Sequence, residues 1–316
     1  MIEAKLLETL AAVVDEGGFE RAARRLRLTQ SAVSQRIRQM EETVGQPVLT
    51  RTQPPRPTGP GRALLRHARR VGLLEVELEH DLARQFAPAG TSGSAEAPWQ
   101  TLALAVNADT LATWFTKAVL PVLVAERLVL DLRVDDQERT LELLRGGEVA
   151  GCVSTREAPT QGCRAERLGV MRYHCACAPA FAARWFPQGL TLKAAWKAPA
   201  VVFNRDDNVH DQFLKQTLGA SPDSAPRHHV PNSERFVDFV LGQAGYGLIP
   251  HLQADGHLAS GALMDLCPAP MPVPLYWHCW NVPSTLLARV GKALKAAARR
   301  ELGQMKEGIA SGGQRA

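Results

Sequence analysis

Acidic residues are scarce in one part of this 316-residue chain: from Gly17 to Gly72 only Glu20, Glu41 and Glu42 stand against twelve arginines. That stretch is net +9, whereas the whole chain is +5, which leaves the remainder net acidic at −4. A weak average therefore conceals an anion-binding N-terminal module, with nucleic acid as its first expected partner, and a second region of opposite sign. The chain also lacks a basic leader followed by an apolar run, and any unbroken apolar stretch of the roughly 18 residues that a membrane span needs. A cytoplasmic protein with no membrane partner is the expectation. Cysteines are few, six in all (Cys152, Cys163, Cys175, Cys177, Cys267 and Cys279). In a chain long enough to build its own core they are expected to be free thiols. A metal site drawn from His174, Cys175, Cys177, His210, His228, His229 and Cys279 finds no paired CxxC spacing, so no metal and no cofactor is expected. Neither a Gly-rich phosphate loop, nor a nucleophile elbow, nor an HExxH pair occurs, which argues against an enzyme.

What is present divides along the chain. With 45% hydrophobic and 22% charged residues it is too apolar for disorder and too long for one comfortable core, so two or three domains are expected. Leu6, Leu10, Val13 and Val14 share a helical face that stops at Gly17-Gly18, and Phe19, Ala22, Ala23 and Leu26 form a second short helix. Thr29 is placed to cap a third helix, in which Val33, Ile37, Met40 and Val44 make the buried stripe and Gly45 the end. Opposite that stripe stand Ser31, Ser34, Gln35 and Arg38, with Gln30 beside them. Gln pairs bidentately with adenine and Arg with guanine, and no acid precedes Glu41 on this helix to repel phosphate. The alternative is a solvated helix face, but such faces usually mix both charge signs. The two short helices before it complete a helix-turn-helix.

Next, Pro47 to Arg51 reads as a short strand and Gln53 to Thr58 as a proline-rich turn, together a small wing flanked by Arg51 and Arg56. Gly59-Pro60-Gly61 reads as a break. Arg62 to Phe86 then carries Leu64, Ala68, Val71, Leu74, Leu78 and Leu82 in steps of three or four, a coiled-coil stripe suited to dimerisation. Residues 100 to 303 alternate strand and helix, with strands at Leu102–Val106, Leu128–Val134, Val149–Val153, Pro199–Phe203 and Tyr246–Ile249, the pattern of an α/β domain with a largely parallel sheet. Ligands of such sheets lie beyond the strands' carboxyl ends, where the sequence puts Asn107, Asp109, Thr110, Asp135, Ser154, Asn204 and Asp207. Each of these is equally readable as a helix cap or a solvated loop residue.

The runs Gly18 to Leu26, Thr29 to Glu41, Gly45 to Leu49, Arg51 and Pro57-Thr58 resemble the winged head of the LysR-type transcriptional regulators. Leu104 to Trp114, Tyr246 to Leu252 and Leu275 to His278 extend the resemblance to the lysine/arginine-responsive branch of that family. The resemblance implies a winged helix-turn-helix over 1–59, a linker helix for dimerisation over 60–87, and a flexible linker over 88–99. It further implies a two-lobed, periplasmic-binding-protein-like (type 2) α/β effector domain over 100–303 and a disordered tail over 304–316. Lobe I would comprise about 100–162 and 275–303, and lobe II about 163–274. The implied activity is regulation of transcription on promoter operators of double-stranded DNA by a nucleoid-associated bacterial homodimer or homotetramer, with RNA polymerase as a further partner. In that reading Gln30, Ser31, Ser34 and Gln35 read base edges, Arg38 touches base or phosphate, and Arg36, Arg51 and Arg56 position the backbone. The small-molecule effector would be lysine or arginine, its carboxylate held by amides and the hydroxyl of Thr110 and its cation by Asp109 or Asp135. The competing readings are a stand-alone small-molecule-binding protein and an α/β enzyme with an incidental basic head.

Overall fold

The structure is a computed structural model that describes residues 2–85, 99–221 and 224–302; the proposed flexible linker, but for Trp99, and the proposed tail lie outside them. The N-terminal head packs α1 (Ala4–Asp15), α2 (Phe19–Leu26) and α3 (Gln30–Val44) around Leu6, Leu10, Val13, Ala22, Val33, Ile37 and Met40. Thr29 caps α3 by accepting from the Ala32 amide at 3.2 Å. The expected wing strand is not formed. Only the isolated bridge Leu49 to Pro57 closes the wing, because the prolines at 54, 55 and 57 have no amide hydrogen for a ladder.

Nor is Gly59-Pro60-Gly61 a break. It is the first turn of α4 (Gly59–Gln85), whose amides at Gly61 and Arg62 are taken by the hydroxyl and carbonyl of Thr58. Pro60 loses nothing in a first turn, where amides lack helical partners anyway. Gly61 is there for closeness: a Cβ would fall 1.9 Å from the Val48 carbonyl oxygen. The early part of α4 is partnered within the chain. Leu65 is buried in the head core with Leu64 and Ala68 against it, and Leu73 packs on the C-terminal half.

The C-terminal half opens with β1 (Gln100–Val106) and a helical run of α5 (Ala108–Thr110), one wide π turn (Leu111–Phe115) and α6 (Thr116–Ala125). At 18 residues and mean hydropathy 1.2, Ala108–Ala125 is long and apolar enough by composition to cross a membrane, which a search for unbroken apolar residues misses because Asp109 and Lys117 interrupt it. Here it packs against the α/β half through Trp114 and Phe115, which are fully buried, while Leu120 and Val124 farther along it are exposed. There follow β2 (Leu128–Val134), α7 (Gln137–Gly146), β3 (Gly151–Ser154) and β4 (Cys163–Cys177). Then come α8 (Pro179–Trp185), α9 (Leu192–Ala195), β5 (Ala200–Val202), α10 (Val209–Leu218) and β6 (Arg227–His229). The chain continues through α11 (Ser233–Leu241), β7 (Gly247–Pro250), α12 (His251–Ala259), β8 (Met264–Asp265), β9 (Met271–Trp280) and α13 (Thr285–Glu301).

The main sheet has the order β2-β1-β3-β9-β4-β7, with β8 also on β4. It is mixed, not largely parallel: β1 runs parallel to β2 and β3, while β3–β9, β4–β9 and β4–β7 are antiparallel. A second, parallel sheet joins β5 and β6. The β4–β9 ribbon runs from Cys163 opposite Trp280 to Tyr173 opposite Met271, with one irregularity between Arg167 and Gly169, and so joins the β1–β3 end of the half to the β7 end. All six cysteines are free thiols.

Candidate functional site

On the head, Gln30, Ser31, Gln35 and Arg38 are exposed along α3 and Ser34 is half-buried beside them. Arg51 and Arg56 are exposed on the wing. Arg36 differs from its expected role: it is half-buried, and its Nη1 donates to Thr9 Oγ1 at 3.3 Å, which braces α3 on α1. Of the twelve arginines behind the charge excess, Arg66, Arg69 and Arg70 also turn inward, donating to the carbonyls of Arg145, Gly147 and Gly162.

In the C-terminal half, a cavity of about 200 Å³ lies between the ends of β1, β2, β3 and β4 and the first turns of α10 and α11. Among its lining residues are five aspartates (Asp109, Asp135, Asp136, Asp206 and Asp207) and no Lys or Arg. Asp109 follows β1, in α5, and reaches across to the other side of the cavity. Tyr173 Oη on β4 donates to one carboxylate oxygen at 2.7 Å, and Ser233 Oγ, at the start of α11, lies 2.6 Å from the other. Enclosure between these hydroxyls raises the Asp109 carboxyl above its ordinary 3.8, the hydrogen bonds opposing the shift and Asp207 adding to it. Tyr173 is raised well above its own usual value, first by burial and then by Asp109. Asp207 accepts from the amides of Val209 at 3.0 Å and Phe203 at 3.4 Å; burial raises it, these bonds oppose, and Asp211 and Asp136 add to the rise. His210 also lines the cavity. Its ring nitrogens have no hydrogen-bond partner among the described residues, and burial, with Arg227 behind it, lowers its pKa to about 4.

The cavity brings together Asn107, Asp109, Asp135 and Asp207 of the residues expected from sequence. Thr110, Ser154 and Asn204 are not in its lining. Asn107 Oδ1 already takes the Thr110 amide at 2.9 Å, and the Thr110 hydroxyl is buried with no hydrogen-bond partner among the described residues. Ser154 Oγ turns to the Arg156 amide and Asn204 Oδ1 to the Asp206 amide. Tyr173 and Ser233 were missed, Tyr173 because β4 gave no strand signal. Ser233 follows Asn232, whose side chain accepts from the Arg235 amide, and that Asn-Ser helix start was a signal the sequence did carry. Among the described residues, no group of three or more His, Cys, Asp or Glu is placed to hold a metal ion.

A winged head joined to an α/β half with an acidic cavity defines a ligand-responsive DNA-binding protein, and the chain belongs to the LysR family of transcriptional regulators. Residues 4–62 match the family model of the bacterial regulatory helix-turn-helix protein, lysR family, and residues 101–301 match the LysR substrate binding domain. These relatives are regulators, not enzymes. The chain is 46% identical over 300 residues to the HTH-type transcriptional regulator ArgP of Pseudomonas aeruginosa, covering 94% of this chain and 96% of that one. It is similar in structure to ArgP from Mycobacterium tuberculosis (TM-score 0.84, 36% identity, covering 96% of this chain and 100% of that one). It is also similar to full-length LysG from Corynebacterium glutamicum with bound effector Arg (TM-score 0.78, 32% identity, 95% and 99% covered).

Proposed function

We propose that this regulator senses a basic amino acid, arginine or lysine, in the cavity around Asp109. The observation that carries the reading is the charge of the lining: five aspartates without a Lys or Arg form a site that favours a cationic ligand, because neighbouring carboxylates repel one another and attract positive charge. LysG, similar over nearly the whole chain, carries Arg as effector, which supports the same assignment here. Asp109 is the cation's main partner, with Asp135 and Asp207 beside it and Asn107 holding the helix start that carries Asp109. The carboxylate of the ligand is met by neutral donors, since the lining offers no cationic side chain.

Operator DNA is bound by the exposed face of α3, with Gln30, Ser31, Ser34 and Gln35 on base edges, Arg38 on base or phosphate, and Arg51 and Arg56 on the backbone. The protein works as a homo-oligomer in the bacterial cytoplasm, joined through the Leu78 and Leu82 end of α4, and ligand binding shifts the packing of its subunits and the path of the DNA that RNA polymerase meets.

Isothermal titration of the full chain with arginine and with lysine tests the ligand. Heat and saturation with at least one are expected, and Asp109→Asn should weaken binding by about 2 kcal/mol, the scale of a hydrogen bond to a charged group. Absence of both heat and thermal stabilisation at millimolar arginine and lysine would remove the assignment.

A further inference from the structure

Helix α4 is fastened to the C-terminal half by side chains that address the ends of two helices. Arg66 Nη1 donates to the Arg145 carbonyl and Arg69 Nη1 to the Gly147 carbonyl, each at 2.8 Å. Both carbonyls lie at the C-terminus of α7, where carbonyls lack helical partners and partial negative charge gathers. Arg70 Nη2 donates to the Gly162 carbonyl at 2.9 Å, its guanidinium 5.7 Å from the Trp280 ring centroid. Farther along α4 the sign reverses. The buried Glu77 carboxylate accepts from Ser284 Oγ and from the amides of Thr285 and Leu286, the latter two at 3.1 Å, at the electropositive N-terminus of α13. Cations thus meet a carbonyl end and an anion meets an amide end.

The contact is fitted. Gly147 has φ +77°, and a Cβ there would fall 2.7 Å from Arg66 Cα, so any side chain would force α4 away. Arg69 also pairs with Asp15 at the end of α1, which puts head, linker helix and α7 on one guanidinium. At the other end of α7 stand Asp135 and Asp136, which line the cavity; Asp136 caps the helix by accepting from the Arg139 and Thr140 amides at 2.9 and 3.0 Å. Ten residues of α7, roughly 15 Å at 1.5 Å each, therefore separate the cavity from the linker helix.

We propose that α7, gripped at its C-terminal carbonyls by Arg66 and Arg69, is the rigid connection through which the cavity and the DNA-binding head sense each other, with Glu77 on α13 as the second fixed point. This holds whatever the effector is. Because coupling between two sites is reciprocal, DNA on the head must then alter the cavity end of α7.

The test is amide hydrogen exchange on the full chain, with and without a duplex that the chain itself selects from a random pool. In the wild type, DNA should change exchange across Arg139–Gly146 by at least about fivefold, the low end of ordinary coupling. The double variant Arg66→Ala/Arg69→Ala should still bind the duplex and lose that change. Glu77→Gln, which keeps the side chain's shape, should raise exchange at Thr285–Leu287 and diminish the response of α7, and it serves if the double variant does not fold. No response of α7 in the wild type, or an equal response in the wild type and the variants, overturns the proposal.

Discussion

His210 is the residue whose chemistry departs furthest from its appearance in the sequence, where it was one more histidine available for a metal. In the folded chain burial holds it at about 4 against an ordinary 6.5, so between those values the unfolded chain binds the extra proton. Its contribution to stability is intact above pH 6.5 and is lost as pH falls toward 4, on the order of 3 kcal/mol in all. Asp109 and Asp207, raised by burial, act in the opposite sense, lowering stability as pH climbs from 3.8 through their folded values. Urea denaturation at pH 7 and pH 5 should therefore show a smaller acid-side loss in His210→Gln than in the wild type; identical losses would mean that the imidazole is not held neutral. The same raised carboxyls predict that arginine binds more tightly as pH rises through their titration, releasing a proton. Asp109 was legible in the sequence because it follows a strand at a helix start. Its partners were not, because Tyr173 and Ser233 lie 64 and 124 positions away and only the fold brings them together.

At the scale of elements, periodicity made the head readable: Val33, Ile37 and Met40 are the buried face of α3, and the polar face follows by elimination. Gln35→Ala should relax preference at one base pair by about 1–3 kcal/mol, whereas Arg56→Ala should weaken all duplexes alike and reduce the salt dependence by about one phosphate contact. Arg69→Ala, facing inward, should leave that slope unchanged. Binding of operator and random duplexes over a salt series separates the three, and equal slopes for the Arg56 and Arg69 variants would contradict the assignment. The ribbon strands were the elements that sequence concealed. β4 carries Arg164, Glu166, Arg167 and Arg172 among its apolar residues, and β9 contains Pro272 and Pro274, a residue type expected at sheet edges. The prolines fit because β3 pairs only with Tyr276–Cys279, so around them β9 has β4 on one side and no strand among the described residues on the other.

For the whole molecule, the charge asymmetry read from composition overstated the DNA-facing surface, since several of its arginines serve contacts within the chain. The apolar stripe on α4 is likewise divided along its length. Leu64 packs on the head and Val71 and Leu74 are half-buried, while Leu78 and Leu82 remain 58% and 44% exposed. An exposed leucine pair at helical spacing on a long helix suits a second copy of itself. Leu78→Lys/Leu82→Lys should lower the oligomeric state in sedimentation velocity and weaken operator binding through lost bivalency, while each head keeps its fold; an unchanged sedimentation coefficient would place the interface elsewhere. The ribbon of β4 and β9 sets a different property. Because the same two strands supply backbone hydrogen bonds to both ends of the C-terminal half, neither end has a complete set of partners without the other. The half should therefore melt in calorimetry as one cooperative unit, and any closure of the two ends on each other would bend a continuous sheet, at a cost in elastic energy that is returned on reopening.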